Sequence, residues 1–86
     1  MASPSMVKLE GQCGEWCIAV VEDYSDLGLG VSAAVELTPG SMWLVRGKQG
    51  TRSGIVRWCA PREQDGCYTI GLEFLGHATG KAGGRW

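Results

Sequence analysis

The sequence predicts an all-β fold, a small antiparallel barrel of about five to six strands. Short runs of alternating apolar and polar residues recur along the chain, and most of them end at glycine or proline turns. Glycine supplies 14 of the 86 residues, which favours turns and short elements over long helices. A sheet of this size protects its edges best by curling into a barrel, so we expect closure.

The first two predicted strands lie on either side of a polar turn. EWCIAVVED, starting at Glu15, is apolar on both faces, so both faces of this strand are expected to be covered. The second strand, LGVSAAVEL, alternates cleanly and is half-buried. Its predicted inward face consists of Leu29, Val31, Ala33, Val35 and Leu37.

Three more strands follow, separated by recognisable turns. MWLVR and SGIVRWCA are joined by GKQG at 47–50, which predicts a hairpin. Asp65-Gly66 is a second hairpin signal, and it leads into the strand CYTIGLEF. Because Trp16 and Trp58 fall within strands, we expect both indoles in the core.

The length allows one domain with a modest core. We expect residues 1–12 to be an N-terminal extension and residues 13–76 to form the barrel. Residues 77–86 are rich in glycine and lack periodicity, so the sequence predicts a flexible C-terminal tail there.

Composition and charge argue against several classes of partner. Eight basic and nine acidic residues give a formal charge of −1, whereas duplex nucleic acid and anionic membranes usually select a clear basic excess. No stretch approaches the roughly 18 consecutive apolar residues of a spanning helix, and the first residues lack the apolar segment of a signal peptide. We therefore expect a cytoplasmic domain without membrane insertion.

The sequence gives little support for an enzyme or a metal site. His77 is the only histidine and lies in the predicted tail, and no carboxylate pair has a recognisable catalytic spacing, so we expect a non-enzymatic domain without a cofactor. The cysteines form one C-x3-C pair and one pair separated by seven residues, a poor zinc pattern. Free thiols are the favoured interpretation of Cys13, Cys17, Cys59 and Cys67, ahead of a disulfide and ahead of zinc.

The turn DYSDLGLG at 23–30 has two interpretations. Asp23 and Ser25 can hydrogen-bond nearby backbone amides, with Gly28 supplying a positive φ, which would make the segment an ordinary turn. Alternatively, the acid and the hydroxyl are presented to a ligand.

The second interpretation rests on a resemblance. Strand-D-x-S-x-x-G-x-G-strand resembles a signature of PilZ domains, the small β-barrels that bind the bacterial second messenger cyclic di-GMP. The turn at Pro39-Gly40, the strand motif Val56-Arg57-Trp58 and the closing G-x-x-F at 71–74 follow in the order found in that family. The resemblance covers about residues 16–75.

The resemblance implies a role for each motif residue. The Asp23 carboxylate would accept two N–H bonds from the Watson–Crick edge of guanine, because such a charged acceptor both binds and orients. Ser25 would add a polar contact, and Gly28 would let the backbone turn closely around the ligand.

One expected motif is missing. PilZ domains that bind the messenger usually carry R-x-x-x-R upstream of the aspartate, where the arginines grip phosphate and guanine. Residues 1–22 contain no arginine. Arg57 and Arg52 are the candidates for substitute phosphate contacts.

We therefore expect a divergent PilZ-like domain in cyclic di-GMP signalling that acts through a protein partner in motility or signalling, with nucleotide binding weak or lost. One alternative is a competent receptor that uses Asp23 and Ser25 with arginines from elsewhere in the chain or from a partner. A less favoured one is a small barrel that binds single-stranded nucleic acid. The oligomeric state stays open.

Overall fold

A computed structural model describes residues 5–48 and 50–75 of the chain. These residues form six strands and no helix, which confirms the all-β prediction. The predicted tail at 77–86 lies outside the described residues. The strands are β1 (Met6–Glu10), β2 (Trp16–Tyr24), β3 (Gly28–Ala33), β4 (Met42–Gly47), β5 (Gly50–Pro61) and β6 (Tyr68–Phe74).

The strands close into an antiparallel barrel in the order β1-β2-β3-β6-β5-β4. Residues 6–10, which the sequence placed in an extension before the barrel, form β1 and pair with both β2 and β4. Their alternation is too short to be identified from sequence, since only Val7 and Leu9 point inward. Without this strand, β2 and β4 would each expose an unpaired edge.

Side-chain burial and backbone pairing hold β1 in place more than its charges do. Val7 and Leu9 are fully buried, and burial of an aliphatic side chain contributes about 1.5–3 kcal/mol. On the outer face Glu10 forms ion pairs with Lys8 (3.2 Å) and Arg46 (2.7 Å). Both cations lower the pKa of the Glu10 carboxyl, and the hydrogen bond with Arg46 contributes most. Such surface pairs contribute little to stability because water screens them.

The core fills the barrel interior with inward-facing side chains from every strand, as the alternation predicts. Leu37, from the segment between β3 and β4, completes it. The buried apolar residues are Val7, Leu9, Ala19, Leu29, Val31, Ala33, Leu37, Val45, Val56, Ile70, Leu72 and Phe74.

Both predicted hairpins are confirmed. Gly47 pairs with Gly50 across the GKQG turn. In the other turn the Asp65 carboxylate accepts a hydrogen bond from the Cys67 amide (3.0 Å), and Gly66 has φ 74°, a conformation that favours glycine.

Three details of the predicted core were wrong. β3 ends at Ala33, so Val35 leaves the sheet and is exposed. Trp16 is 61% exposed because, of the two apolar faces of β2, the one with Cys17 and Ala19 turns inward. Trp58 is 49% exposed because β5 changes register just before it.

Gly28 does not have the positive φ that the turn interpretation gave it. It begins β3 where that strand lies tightly against β6, and the Phe74 amide donates to the Leu27 carbonyl at 2.8 Å. A Cβ at Gly28 would overlap the Leu72 carbonyl oxygen. The glycine is therefore required for the close approach of two backbones.

Gly28→Ala should destabilise the protein by about 3 kcal/mol, because the overlapping atom is backbone and whole strands must move. Gly54→Ala is the matched control, since a Cβ there meets its nearest atom at an ordinary 3.5 Å. Denaturant unfolding of both variants measures the difference. Equal stabilities would contradict this account of Gly28.

Candidate functional site

One row of residues crosses four strands on the outer face of the barrel. Asp23 of β2 pairs with Gly30 of β3, Gly30 pairs with Gly71 of β6, and Gly71 pairs with Trp58 of β5. Directly opposed residues of neighbouring strands point to the same side of a sheet. The row therefore places a carboxylate and an indole at the two ends of a pair of glycines.

Two β-bulges create this row. β2 shifts register between Val21 and Asp23, and β5 shifts between Val56 and Trp58. In a regular strand, Asp23 would share the inward face of Val21, and Trp58 would share that of Val56. Each bulge inserts one residue, Glu22 or Arg57, and thereby turns the next side chain outward.

The glycines make room for both side chains. A Cβ at Gly30 would lie 2.5 Å from Asp23 Oδ1, and a Cβ at Gly71 would overlap the Trp58 indole at Nε1. On the outer face of the barrel, Asp23 and Trp58 therefore lean toward each other over the glycine backbone. The Asp23 carboxylate thus covers Gly30 and the Trp58 indole covers the buried Gly71, so a ligand in the groove meets these two side chains.

The row lies in an open groove of about 430 Å³. This volume falls within the range of small-molecule sites. Its rim includes two exposed apolar side chains, Leu27 (75% exposed) and Tyr24 (48% exposed). The lining residues are Asp23, Tyr24, Ser25, Leu27, Gly28, Leu29, Gly30, Arg57, Trp58, Gly71, Leu72 and Glu73.

Charge in the groove is unbalanced toward the negative. Its lining carries the carboxylates of Asp23 and Glu73 against the single guanidinium of Arg57. Arg57 Nε lies 2.5 Å from Glu73 Oε1, so this cation is already engaged. Among residues 5–48 and 50–75, no hydrogen bond or ion pair engages the carboxylate of Asp23.

Ser25 shapes the turn at one end of the groove and also lines it. Its hydroxyl oxygen accepts a hydrogen bond from the Leu27 amide (3.1 Å), and its own amide donates to the Gly28 carbonyl (2.9 Å). This is the local turn bonding that the turn interpretation predicts for serine. The hydroxyl proton remains available to a ligand.

The structure brings four of the five predicted site residues together. Asp23, Ser25, Gly28 and Arg57 all line the groove. Arg52 does not line it; its guanidinium carbon lies 3.9 Å from the centroid of the Phe74 ring.

Sequence reasoning missed Trp58, Gly30 and Gly71 as parts of the site. The available signal was glycine in the interior of two predicted strands, which often marks a close approach.

The four cysteines are free thiols, with Cys13 exposed and the other three partly buried. Within the described part of the chain, no three His, Cys, Asp or Glu side chains are grouped to hold a metal ion. The same residues include no helix with the length and apolarity needed to cross a membrane.

Comparison with protein-family models, with curated proteins and with solved structures found no match to this chain.

Gly71→Ala should displace the Trp58 indole, because a side chain can rotate away from the new methyl group while the strands stay paired. We expect a shift of the Trp58 indole N–H resonance and a stability loss of about 1 kcal/mol. Gly30→Ala is the matched control, since its new methyl group meets Asp23 instead of Trp58 and should leave the indole resonance in place. A folded Gly71→Ala spectrum with an unmoved indole resonance would contradict this packing.

Cys13 should be alkylated faster than Cys17 at pH 8. Burial raises the pKa of the Cys17 thiol, which lowers its reactive thiolate fraction, whereas Cys13 is exposed. Peptide mass spectrometry over a time course with iodoacetamide measures both rates, and the denatured protein supplies the reference in which they converge. Equal rates in the native protein would count against the buried position of Cys17.

Proposed function

We propose that this chain is a non-enzymatic, cytoplasmic PilZ-like domain of cyclic di-GMP signalling, which reads guanine weakly and acts mainly through a protein partner. The observation that carries the proposal is the row from Asp23 over Gly30 and Gly71 to Trp58. It places a carboxylate acceptor beside an aromatic side chain, and these supply two contacts that hold a purine.

Guanine suits this arrangement better than the other bases. Its Watson–Crick edge carries two adjacent N–H donors, which match the two oxygens of a carboxylate. With that edge at Asp23, the ring stacks against Trp58. Base–aromatic stacking contributes about 1–3 kcal/mol per base.

Weak affinity follows from the charges. Cyclic di-GMP carries two phosphate charges, and the groove meets them with two carboxylates and a guanidinium already bound to Glu73. Hydrogen bonds to charged groups contribute about 1.5–3 kcal/mol each. Because each ~1.4 kcal/mol is a tenfold change, the missing arginine pair moves a micromolar binder toward millimolar affinity.

The same charges disfavour a role in binding single-stranded nucleic acid, which needs a positively charged groove along its backbone. The exposed apolar rim of Leu27 and Tyr24 supports a protein partner instead.

NMR titration with cyclic di-GMP tests the proposal. We expect saturable shifts of the Gly30 and Gly71 amides and of the Trp58 indole N–H, with a Kd of about 0.1–1 mM or weaker. Asp23→Asn should abolish these shifts because it removes the charged acceptor. Asp26→Asn, in the same turn but outside the groove lining, should leave them unchanged.

Two results would overturn parts of this proposal. A Kd in the low micromolar range would favour the competent receptor, with Arg57 released from Glu73 to bind phosphate. No shift at millimolar nucleotide would exclude guanine reading by this groove.

A further inference from the structure

The negative charge of the Asp23 carboxylate favours a class of ligand other than nucleotides. Among the described residues it has no hydrogen-bond or ion-pair partner, although Arg57 lines the same groove. Arg57 is bound to Glu73, so the negative charge of the groove is concentrated at Asp23. A ligand that brings positive charge to this point is favoured over one that brings phosphates.

An arginine side chain presents nearly the same donors as guanine. Its guanidinium is planar and offers two parallel N–H bonds to a carboxylate, and it also stacks on aromatic faces. Asp23 and Trp58 supply these two contacts from their positions over the paired glycines Gly30 and Gly71. A cation over a tryptophan ring gains a further electrostatic attraction that a neutral base does not.

We propose that this groove docks an arginine side chain presented by an extended segment of a partner protein. The guanidinium donates to Asp23 and stacks against Trp58, the two side chains that lie over Gly30 and Gly71. The neighbouring residues of that segment are apolar and contact Leu27 and Tyr24 on the rim, which are 75% and 48% exposed.

The combination of the Asp23 carboxylate and the Trp58 indole makes the site selective for arginine over lysine. An ammonium group is compact and strongly hydrated, so it neither forms the two parallel bonds nor stacks as a plane. This inference rests on the proposed function, in that the same groove is the binding surface. It adds that the partner's arginine and guanine compete for one carboxylate.

The test is an NMR titration of the full chain with the peptide acetyl-Gly-Leu-Arg-Leu-Gly-amide. We expect shifts of the Trp58 indole N–H and of the Gly30 and Gly71 amides. A peptide with citrulline in place of arginine keeps the shape without the charge and should bind at least about tenfold more weakly. The lysine peptide should also bind more weakly.

Variants of the protein locate the contact. Asp23→Asn and Trp58→Ala should each weaken binding of the arginine peptide at least about tenfold. Their matched controls are Asp26→Asn and Trp16→Ala, which change an acid and an exposed indole outside the groove lining and should leave binding intact. Equal binding of the arginine and citrulline peptides, or no effect of Asp23→Asn, would overturn the inference.

Titration with cyclic di-GMP alongside the peptide distinguishes this inference from the proposed function. Shifts with cyclic di-GMP but none with the arginine peptide would overturn the inference and leave guanine reading in place. Asp23-dependent shifts with the peptide alone would support the inference and remove guanine as a ligand. If both bind, addition of the peptide should reverse the nucleotide shifts; independent binding of the two would overturn the shared site.

Discussion

Two β-bulges, one after Val21 in β2 and one after Val56 in β5, decide which side chains this barrel presents to solvent. Up to each bulge the strand keeps its apolar set in the core, and beyond it the alternation is reversed. The bulges occur on strands separated by β3 and β6, so the two reversed side chains face each other across a two-strand gap. The groove depends on this coincidence of two local irregularities.

Between the two bulges lie two glycines, a residue that weakens the interior of a strand. Glycine in a strand interior gives up side-chain packing and conformational entropy, yet Gly30 and Gly71 stand side by side there. Larger residues would displace Asp23 and Trp58. The barrel tolerates the loss because β3 and β6 each pair with a neighbour on both sides, so the weakened strands are not edges.

Sequence reasoning could predict the fold because alternation and turn chemistry are local properties. The GKQG and Asp65-Gly66 hairpins and the alternating strand β6 follow from neighbouring residues alone. Strand β1 was not predicted because two inward-facing residues are too few to show a recognisable alternation. The outward position of Trp58 was not predicted because the sequence pattern does not reveal a bulge. An apolar residue two positions after Val56 predicts burial, and only the observed pairing of Trp58 with Gly71 shows that its side chain points outward.

The candidate site was predictable only in part: the sequence identified its turn residues but not Trp58, the two glycines or the charge that the groove presents. The spacing D-x-S-x-x-G identifies Asp23 and Ser25, and a count of arginines identifies the missing cations. Whether a remaining arginine is available depends on which side chain faces it, and Glu73 faces Arg57 only because β5 and β6 pair in the observed register. That ion pair leaves Asp23 uncompensated within the described residues. The net charge left in the groove is negative, which favours a cationic ligand over an anionic one.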